Sequence, residues 1–187
     1  KLLIDSGYEN LFGIDCVPTK EKLNNFKCIK LDICDNNNFE KELKSILLGK
    51  SEASIYYTAG IHTTSSINDK NSVELAIKQS MTNLIPHTSW IKILSELKIK
   101  VKILVACSLS SVIGLPFQQY YSASKSATQF FYESISYELK RSFCTVYLIR
   151  LGSVNTGFNS KGNLSPMQNS YIYDDYLRSL NKINGKK

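Results

Sequence analysis

Tyr121 and Lys125 form a pair that is suited to acid–base chemistry. They stand four residues apart at the start of a segment with helical periodicity, so their side chains share one helical face. A phenol with a pKa of about 10 is a poor acid or base at neutral pH, but a neighbouring ammonium favours the phenolate and lowers that pKa. The same spacing is common on helix surfaces, so the pair alone leaves catalysis and accident both open.

A serine and a loop precede this pair. Ser108 lies thirteen residues before Tyr121, directly after the most apolar run of the chain, and Gly114 and Pro116 stand in the intervening segment. Ser110 and Ser111 are the alternatives to Ser108 as the functional serine. Both could instead serve only in hydrogen bonds within the loop.

Segments with strand-like and helix-like patterns alternate along the chain. Pro86 must kink or end the helix in which it falls. Asn37 with Glu40 resembles a capping pair at a helix start. Runs of apolar residues predict strands at 11–15, 26–32, 54–58, 101–106 and 145–151, and helical spacing predicts helices within 39–47, 73–84, 90–97 and 121–140. This order predicts an α/β fold, with a doubly wound parallel sheet flanked by helices in three layers.

Composition narrows the class of protein. The chain has 187 residues, of which 43% are hydrophobic and 21% charged, as in a single globular domain. The net charge is +7, but the lysines are scattered, so we expect a solvated surface and no nucleic-acid partner. No apolar run is long enough for a bilayer, and we expect no membrane association. Five cysteines without C-x-x-C spacing favour a reducing, cytoplasmic setting.

The segment from Ser108 through Gly114 to Tyr121 and Lys125 resembles the active-site segment of the short-chain dehydrogenase/reductase family. The resemblance implies a Rossmann-type oxidoreductase that moves a hydride between a nicotinamide cofactor and an alcohol or ketone. Tyr121 would exchange a proton with the substrate oxygen, and Ser108 would hydrogen-bond that oxygen. Lys125 would lower the pKa of Tyr121 and hold the nicotinamide ribose.

Further positions resemble the cofactor contacts of that family. Asp15 would take the ribose hydroxyls of NAD and disfavour NADP, although a strand-end aspartate also caps turns. Asp32 resembles the residue that meets adenine. Thr58-Ala59-Gly60 is similar to the N-N-A-G element, with Tyr57 and Thr58 in place of both asparagines, and the glycine lets the cofactor approach the backbone. We expect Ala59 and Gly60 to bind cofactor.

Two more segments complete the resemblance. Asn83 falls near the place of the fourth catalytic residue, an asparagine that helps to hold a relay water, and the alternative is a helix-break residue. Residues 151–156 are similar to the P-G-x-V-x-T segment that contacts the nicotinamide carboxamide, which implies cofactor contacts from Gly152, Val154 and Thr156. Leu151 stands where proline is usual.

The resemblance covers about residues 1–160. We expect a single Rossmann domain over 1–187 that lacks the first strand and glycine-rich loop of the family, and also its C-terminal end. The long helix that begins near Tyr121 forms dimer contacts in this family, which implies a homodimer or homotetramer. His62 and His87 have no partners at metal spacing, so we expect no metal and a surface place for both. The alternative is a catalytically inactive Rossmann-like nucleotide-binding or regulatory protein.

Overall fold

The computed structural model describes residues 10–17, 24–139 and 144–152. The strands are β1 (Leu11–Asp15), β2 (Phe26–Lys30), β3 (Glu52–Tyr57), β4 (Lys100–Ser108) and β5 (Cys144–Leu151). The helices are α1 (Asn36–Leu47), α2 (Ser72–Asn83), α3 (Ile85–Leu97) and α4 (Gln119–Leu139), with a 3-10 turn at Leu109–Ser111. None of these described helices is long and apolar enough to cross a membrane.

All strand pairs are parallel, as the sequence predicts. Among the described residues β1 pairs with β2, and β3, β4 and β5 pair in that order. Ser108 at the end of β4 lies opposite Leu151 at the end of β5. Parallel strands with flanking helices confirm the predicted fold class. Because the carboxyl ends of parallel strands share one edge, the segments that follow β3, β4 and β5 meet there.

The centre of the three-stranded group is β4, which explains its apolar run. Ile103 and Val105 are fully buried, and Val101 and Leu104 are nearly so. A central parallel strand is covered on both faces, so its residues need not alternate between apolar and polar. On one side α1 contributes buried apolar residues that are spaced one helical turn apart. The buried apolar residues of α3 are Trp90, Ile93 and Leu94.

Two helix boundaries test the expectations from the sequence. Pro86 does end a helix, since α2 stops at Asn83 and α3 begins at Ile85 with the proline in its first turn. The expected cap at Asn37 is wrong. Asp35 is the N-cap of α1, and its carboxylate accepts from Asn38 N at 3.3 Å and from the Asn38 side chain at 2.7 Å. A carboxylate is the stronger acceptor at a helix start, so it takes the cap position.

A cluster of aromatic rings surrounds His87 in the core, which corrects the expectation of a surface histidine. His87 is 1% exposed, and its Nδ1 lies 2.7 Å from the Tyr132 hydroxyl. Its ring centroid is 4.0 Å from that of Tyr57, and Trp90 stacks on Tyr57. Burial, with a contribution from the charge of Lys125, lowers the pKa of His87 to about 3. The buried imidazole is therefore neutral.

This histidine should make stability depend on pH. The unfolded chain binds a proton at the ordinary pKa of 6.5, whereas the folded protein does so only near pH 3. The stabilisation is present above pH 6.5 and is lost as the pH falls through that window, by up to about 1.4 kcal/mol per pH unit. Denaturant unfolding between neutral and mildly acidic pH should show this slope, and His87→Gln should remove much of it.

The half-exposed His62 provides the matched control. His62→Gln should remove a smaller part of the slope, because a histidine that keeps access to water has a smaller pKa shift. An unchanged slope in His87→Gln would contradict the account of the core.

Candidate active site

Ser108 lies where β4 ends and the 3-10 turn begins. Its Oγ accepts from Ser110 N at 3.1 Å, and its side chain also hydrogen-bonds Tyr121. Ser110 and Ser111 are buried as well, but Ser111 Oγ donates to Gln129 at 2.6 Å. Of the three serines that the sequence offers, Ser108 is the one whose hydroxyl meets the phenol.

Tyr121 and Lys125 occupy successive turns of α4, and both are buried. Lys125 Nζ lies 5.9 Å from the centroid of the Tyr121 ring and donates to Ala106 O at 3.3 Å. Burial lowers the pKa of Lys125. Cys107 Sγ lies 3.5 Å from Lys125 O, so two contacts fasten this turn of the helix to the end of β4.

The pKa of Tyr121 reflects burial and two neighbouring side chains, and the expected lowering by Lys125 stays a prediction. Burial raises the pKa of Tyr121, the hydrogen bond from Ser108 lowers it, and the nearby Cys107 raises it. The ammonium lies toward the ring and bonds a backbone carbonyl. Ser108 therefore favours the phenolate.

Asn83 ends α2 and also reaches into the site. Its Nδ2 donates to Ile61 O at 2.9 Å and to Ser124 Oγ at 2.9 Å, while its Oδ1 accepts from Ile61 N at 2.8 Å. Its side chain thus holds the backbone just beyond Gly60. A methyl group on Gly60 would come within 3.1 Å of Asn83 Oδ1 and 3.4 Å of Lys125 Nζ. The close approach of backbone to these groups explains the glycine.

Thr128 connects α4 to the break between α2 and α3. Its hydroxyl is fully buried and lies 2.8 Å from Asn83 O and 2.9 Å from Ser124 O. Since Ser124 also bonds the Asn83 side chain, α4 holds both the side-chain amide and the backbone carbonyl of this asparagine. Asn83 is therefore more than the end of a helix.

His62, which we expected at the surface, lies beside Tyr121. Its ring packs edge-on against Tyr121, with centroids 4.6 Å apart and an interplanar angle of 80°. Burial lowers the pKa of His62, and a hydrogen bond with Gln118 partly opposes this. The signal in the sequence is its position two residues after Gly60, in the segment that follows β3.

Asp15 and Asp32 lie where β1 and β2 end, at the carboxyl edge expected for cofactor contacts. Asp15 Oδ1 accepts from Val17 N at 2.8 Å, and Asp32 Oδ1 accepts from Cys34 N at 2.9 Å. Both carboxylates thus cap the turns that follow their strands. A carboxylate has further acceptor sites, so capping is compatible with binding a ribose or adenine.

The remaining expected positions divide between two places. Ala59 and Gly60 follow β3, and Gly152 follows β5, all at the same edge as Ser108. Val154 and Thr156 lie outside the described residues. Within residues 10–17, 24–139 and 144–152, no three His, Cys, Asp or Glu side chains are grouped to hold a metal ion.

Comparison with known proteins agrees with this geometry. A family model described as short chain dehydrogenase matches residues 16–166. The chain is also similar to 3-ketodihydrosphingosine reductase of Bacteroides thetaiotaomicron, with 38% identity over 84 residues. That match covers 44% of this chain and 31% of the relative, so it spans about a third of the curated protein.

Solved structures share the fold at low identity. A short chain dehydrogenase from Burkholderia cenocepacia in complex with NADP has a TM-score of 0.82 at 15% identity, covering 100% of this chain and 78% of its own. A short chain dehydrogenase family protein from Francisella tularensis has a TM-score of 0.73 at 22% identity, with 100% and 70% covered. A 4-hydroxyisoleucine dehydrogenase complexed with NADH and succinate has a TM-score of 0.73 at 19% identity, with 97% and 82% covered.

The buried hydroxyl of Thr128 gives a stability prediction. Thr128→Val keeps the side-chain shape but leaves Asn83 O without this donor, so the free energy of unfolding should fall by about 2 kcal/mol. Ser136→Ala is the matched control, because its hydroxyl bonds Glu133 O at an exposed position of the same helix. The control should change stability by no more than about 0.5 kcal/mol. Equal losses in denaturant unfolding of the two variants would contradict the assignment.

Proposed function

Because this chain belongs to the short chain dehydrogenase family, whose model matches residues 16–166, we propose that it is a nicotinamide-dependent oxidoreductase acting on an alcohol or ketone. The observation that carries the proposal is one buried cluster at the carboxyl edge of the sheet. Ser108, Tyr121, Lys125 and Asn83 meet there through hydrogen bonds and close contacts beside Gly60. A scaffold without turnover has no physical need to bury this set together.

The residues have complementary roles in the proposed reaction. Tyr121 donates its hydroxyl proton to the carbonyl oxygen in reduction and accepts the proton from the alcohol in oxidation. Ser108 donates a hydrogen bond to the same oxygen. Since Ser108 already bonds the phenol, a substrate oxygen near both hydroxyls would lie in the position where charge develops. Asn83 holds the backbone just beyond Gly60, and Lys125 holds α4, which carries Tyr121, against the end of β4.

The described residues fit a nicotinamide cofactor, which when bound supplies or accepts the hydride. A Cβ at Gly60 would fill the space beside Lys125 Nζ and Asn83 Oδ1, so the glycine leaves room for a ligand near the ammonium. Lys125 and Tyr121 would hold the nicotinamide ribose, with Ala59, Gly60 and Gly152 beside it. Asp15 would accept from the adenosine ribose hydroxyls, and Asp32 would meet adenine. A carboxylate at Asp15 favours NAD because it repels the 2′-phosphate of NADP.

Tyr121→Phe tests this proposal. The variant keeps the ring that packs on His62 but lacks the proton, so NADH binding should persist while carbonyl reduction falls by at least about a hundredfold. Fluorescence titration with NADH and initial rates on a ketone are the two measurements. Tyr137→Phe is the matched control, because it makes the same chemical change at an exposed position of the same helix.

Three outcomes separate the assignments. A wild type that neither binds NADH nor reduces ketones would reject the oxidoreductase and favour a fold retained for binding. Turnover that survives in Tyr121→Phe would reject this tyrosine as the acid–base group. Tighter binding of NADPH than of NADH would overturn the role given to Asp15.

The segment between Ser108 and Tyr121 favours an apolar substrate. Its exposed large apolar side chains are Leu109, Val112, Ile113, Leu115 and Phe117, of which Phe117 is 64% exposed. The backbone of Phe117 is fixed, because its carbonyl accepts from Ser65 N at 2.9 Å. A run of exposed apolar side chains next to a polar site is typical of a ligand or interaction surface. The similarity to a 3-ketodihydrosphingosine reductase favours the same choice, a ketone with a long alkyl chain.

Substrate chain length tests this choice. In a series of methyl ketones, kcat/KM should rise by up to about fourfold for each added methylene, which corresponds to about 0.8 kcal/mol for a buried CH2. Phe117→Ser and Val112→Ser should flatten the rise and leave the rate on the shortest ketone unchanged. Leu48→Ser, at an exposed apolar position after α1, should leave the series as in wild type. A series that is flat in wild type would reject the apolar substrate.

A further inference from the structure

The polar face of α4 continues beyond the catalytic residues. Gln129 lies one turn after Lys125, and Glu133 lies one turn further. Gln129 is 5% exposed, and a buried amide needs partners for both its oxygen and its nitrogen. These partners come from three elements, so the contacts of Gln129 show what this part of the helix holds together.

Each end of the Gln129 amide is engaged. Its Oε1 accepts from Ser111 Oγ at 2.6 Å and from Arg150 Nε at 3.0 Å. Its Nε2 donates to Glu133 Oε1 at 2.8 Å, and the same carboxylate lies 3.5 Å from Arg150 Nη2. The arginine and the glutamate therefore fix which end of the amide is the acceptor, and that acceptor faces Ser111.

Ser111 connects this network to the catalytic serine. It is the last residue of the 3-10 turn that Ser108 caps, and Ser110 N donates to Ser108 Oγ within that turn. Two bonds fasten the turn to α4, since Ser111 Oγ donates to Gln129 and Ser126 Oγ donates to Ser111 O at 2.7 Å. The turn that carries Ser108 is thus anchored to the helix that carries Tyr121.

We propose that Gln129, oriented by Arg150 and Glu133, is a positioning residue that holds the Ser108 hydroxyl against Tyr121 through Ser111. Arg150 lies opposite Cys107 on β5, so the network joins the ends of β4 and β5 to α4. The proposal deepens the proposed function, because it names how the same site is kept in its working geometry. It also predicts a property of Tyr121 that can be measured without turnover.

That property is the titration of the Tyr121 phenol. Ser108 is the hydrogen-bond donor that lowers the pKa of Tyr121, so a displaced Ser108 should leave that pKa higher. The other groups that face Tyr121 are Lys125 on its own helix, Cys107 on β4 and His62 after β3. Changes at Gln129 or Ser111 alter none of these groups.

The experiment follows the ζ-carbon NMR signal of Tyr121 in protein labelled with ¹³C-tyrosine, from neutral to alkaline pH and without cofactor. Tyr121→Phe assigns the signal, and Ser108→Ala gives the shift for complete loss of the hydrogen bond. Gln129→Leu and Ser111→Ala should each raise the pKa of Tyr121, and neither should raise it further than Ser108→Ala does. Glu138→Gln, an exposed change on the same helix, should leave it at the wild-type value.

The outcomes divide cleanly. If Tyr121 titrates as in wild type in both Gln129→Leu and Ser111→Ala, or if Ser108→Ala itself leaves the titration unchanged, the inference is overturned. If Gln129→Leu does not fold, Ser111→Ala decides the matter, because it removes one hydroxyl only. A wild type without turnover but with the expected shifts would reject the proposed function and keep the positioning role.

In active protein, the pH profile gives a second reading. Alcohol oxidation needs the phenolate, so the rising limb of kcat against pH should move to higher pH in Gln129→Leu and Ser111→Ala. A purely structural role would reduce the yield of folded protein and leave the limb in place.

Discussion

Several polar side chains that α4 buries are paired with groups on other elements, and this pairing determines how the helix lies on the sheet. Lys125 bonds the carbonyl of Ala106, Thr128 bonds that of Asn83, and Gln129 bonds Ser111 and Arg150. A buried polar group without a partner costs about 1–3 kcal/mol. Sliding α4 by one turn would leave several such groups unpaired at once, so the helix has one favourable position.

The same bonds produce the site. They fix α4 against the ends of β4 and β5 and against the break after α2. Ser108 lies at the end of β4, Asn83 lies at the break after α2, and Tyr121 lies on α4 itself. Arranging reactive groups before the substrate arrives is how a protein stabilises developing charge without reorganisation. Burial has a cost for the chemistry, because it raises the pKa of Tyr121 and lowers that of Lys125. The hydrogen bond from Ser108 opposes the first of these effects.

Much of this arrangement could be predicted from the sequence where the signal is local. The apolar run of β4, the four-residue spacing of Tyr121 and Lys125, and the helix break at Pro86 depend on neighbours along the chain, and the structure has all three. The alternation of strands and helices was enough to predict a parallel sheet.

The features that could not be predicted depend on tertiary contacts. His87 looks like a helix-end residue in sequence, but Tyr57 and Tyr132 enclose it from other elements. Gln129 and Arg150 are 21 positions apart, and no periodicity relates them. The pKa of Tyr121 depends on burial and on the position of Ser108, and both come from tertiary contacts that the spacing of tyrosine and lysine does not contain.

Hydride transfer from NADH to a ketone is tested most directly with NADH that carries deuterium at both C4 positions. The protein reduces a long-chain ketone with this cofactor, and the position of the deuterium in the product is determined. Mass spectrometry and NMR of the product locate the label. Direct hydride transfer predicts one deuterium on the carbinol carbon with wild type, and at least about a hundredfold less product in the same time with Tyr121→Phe. An alcohol without deuterium, or no alcohol from wild type, would contradict the account.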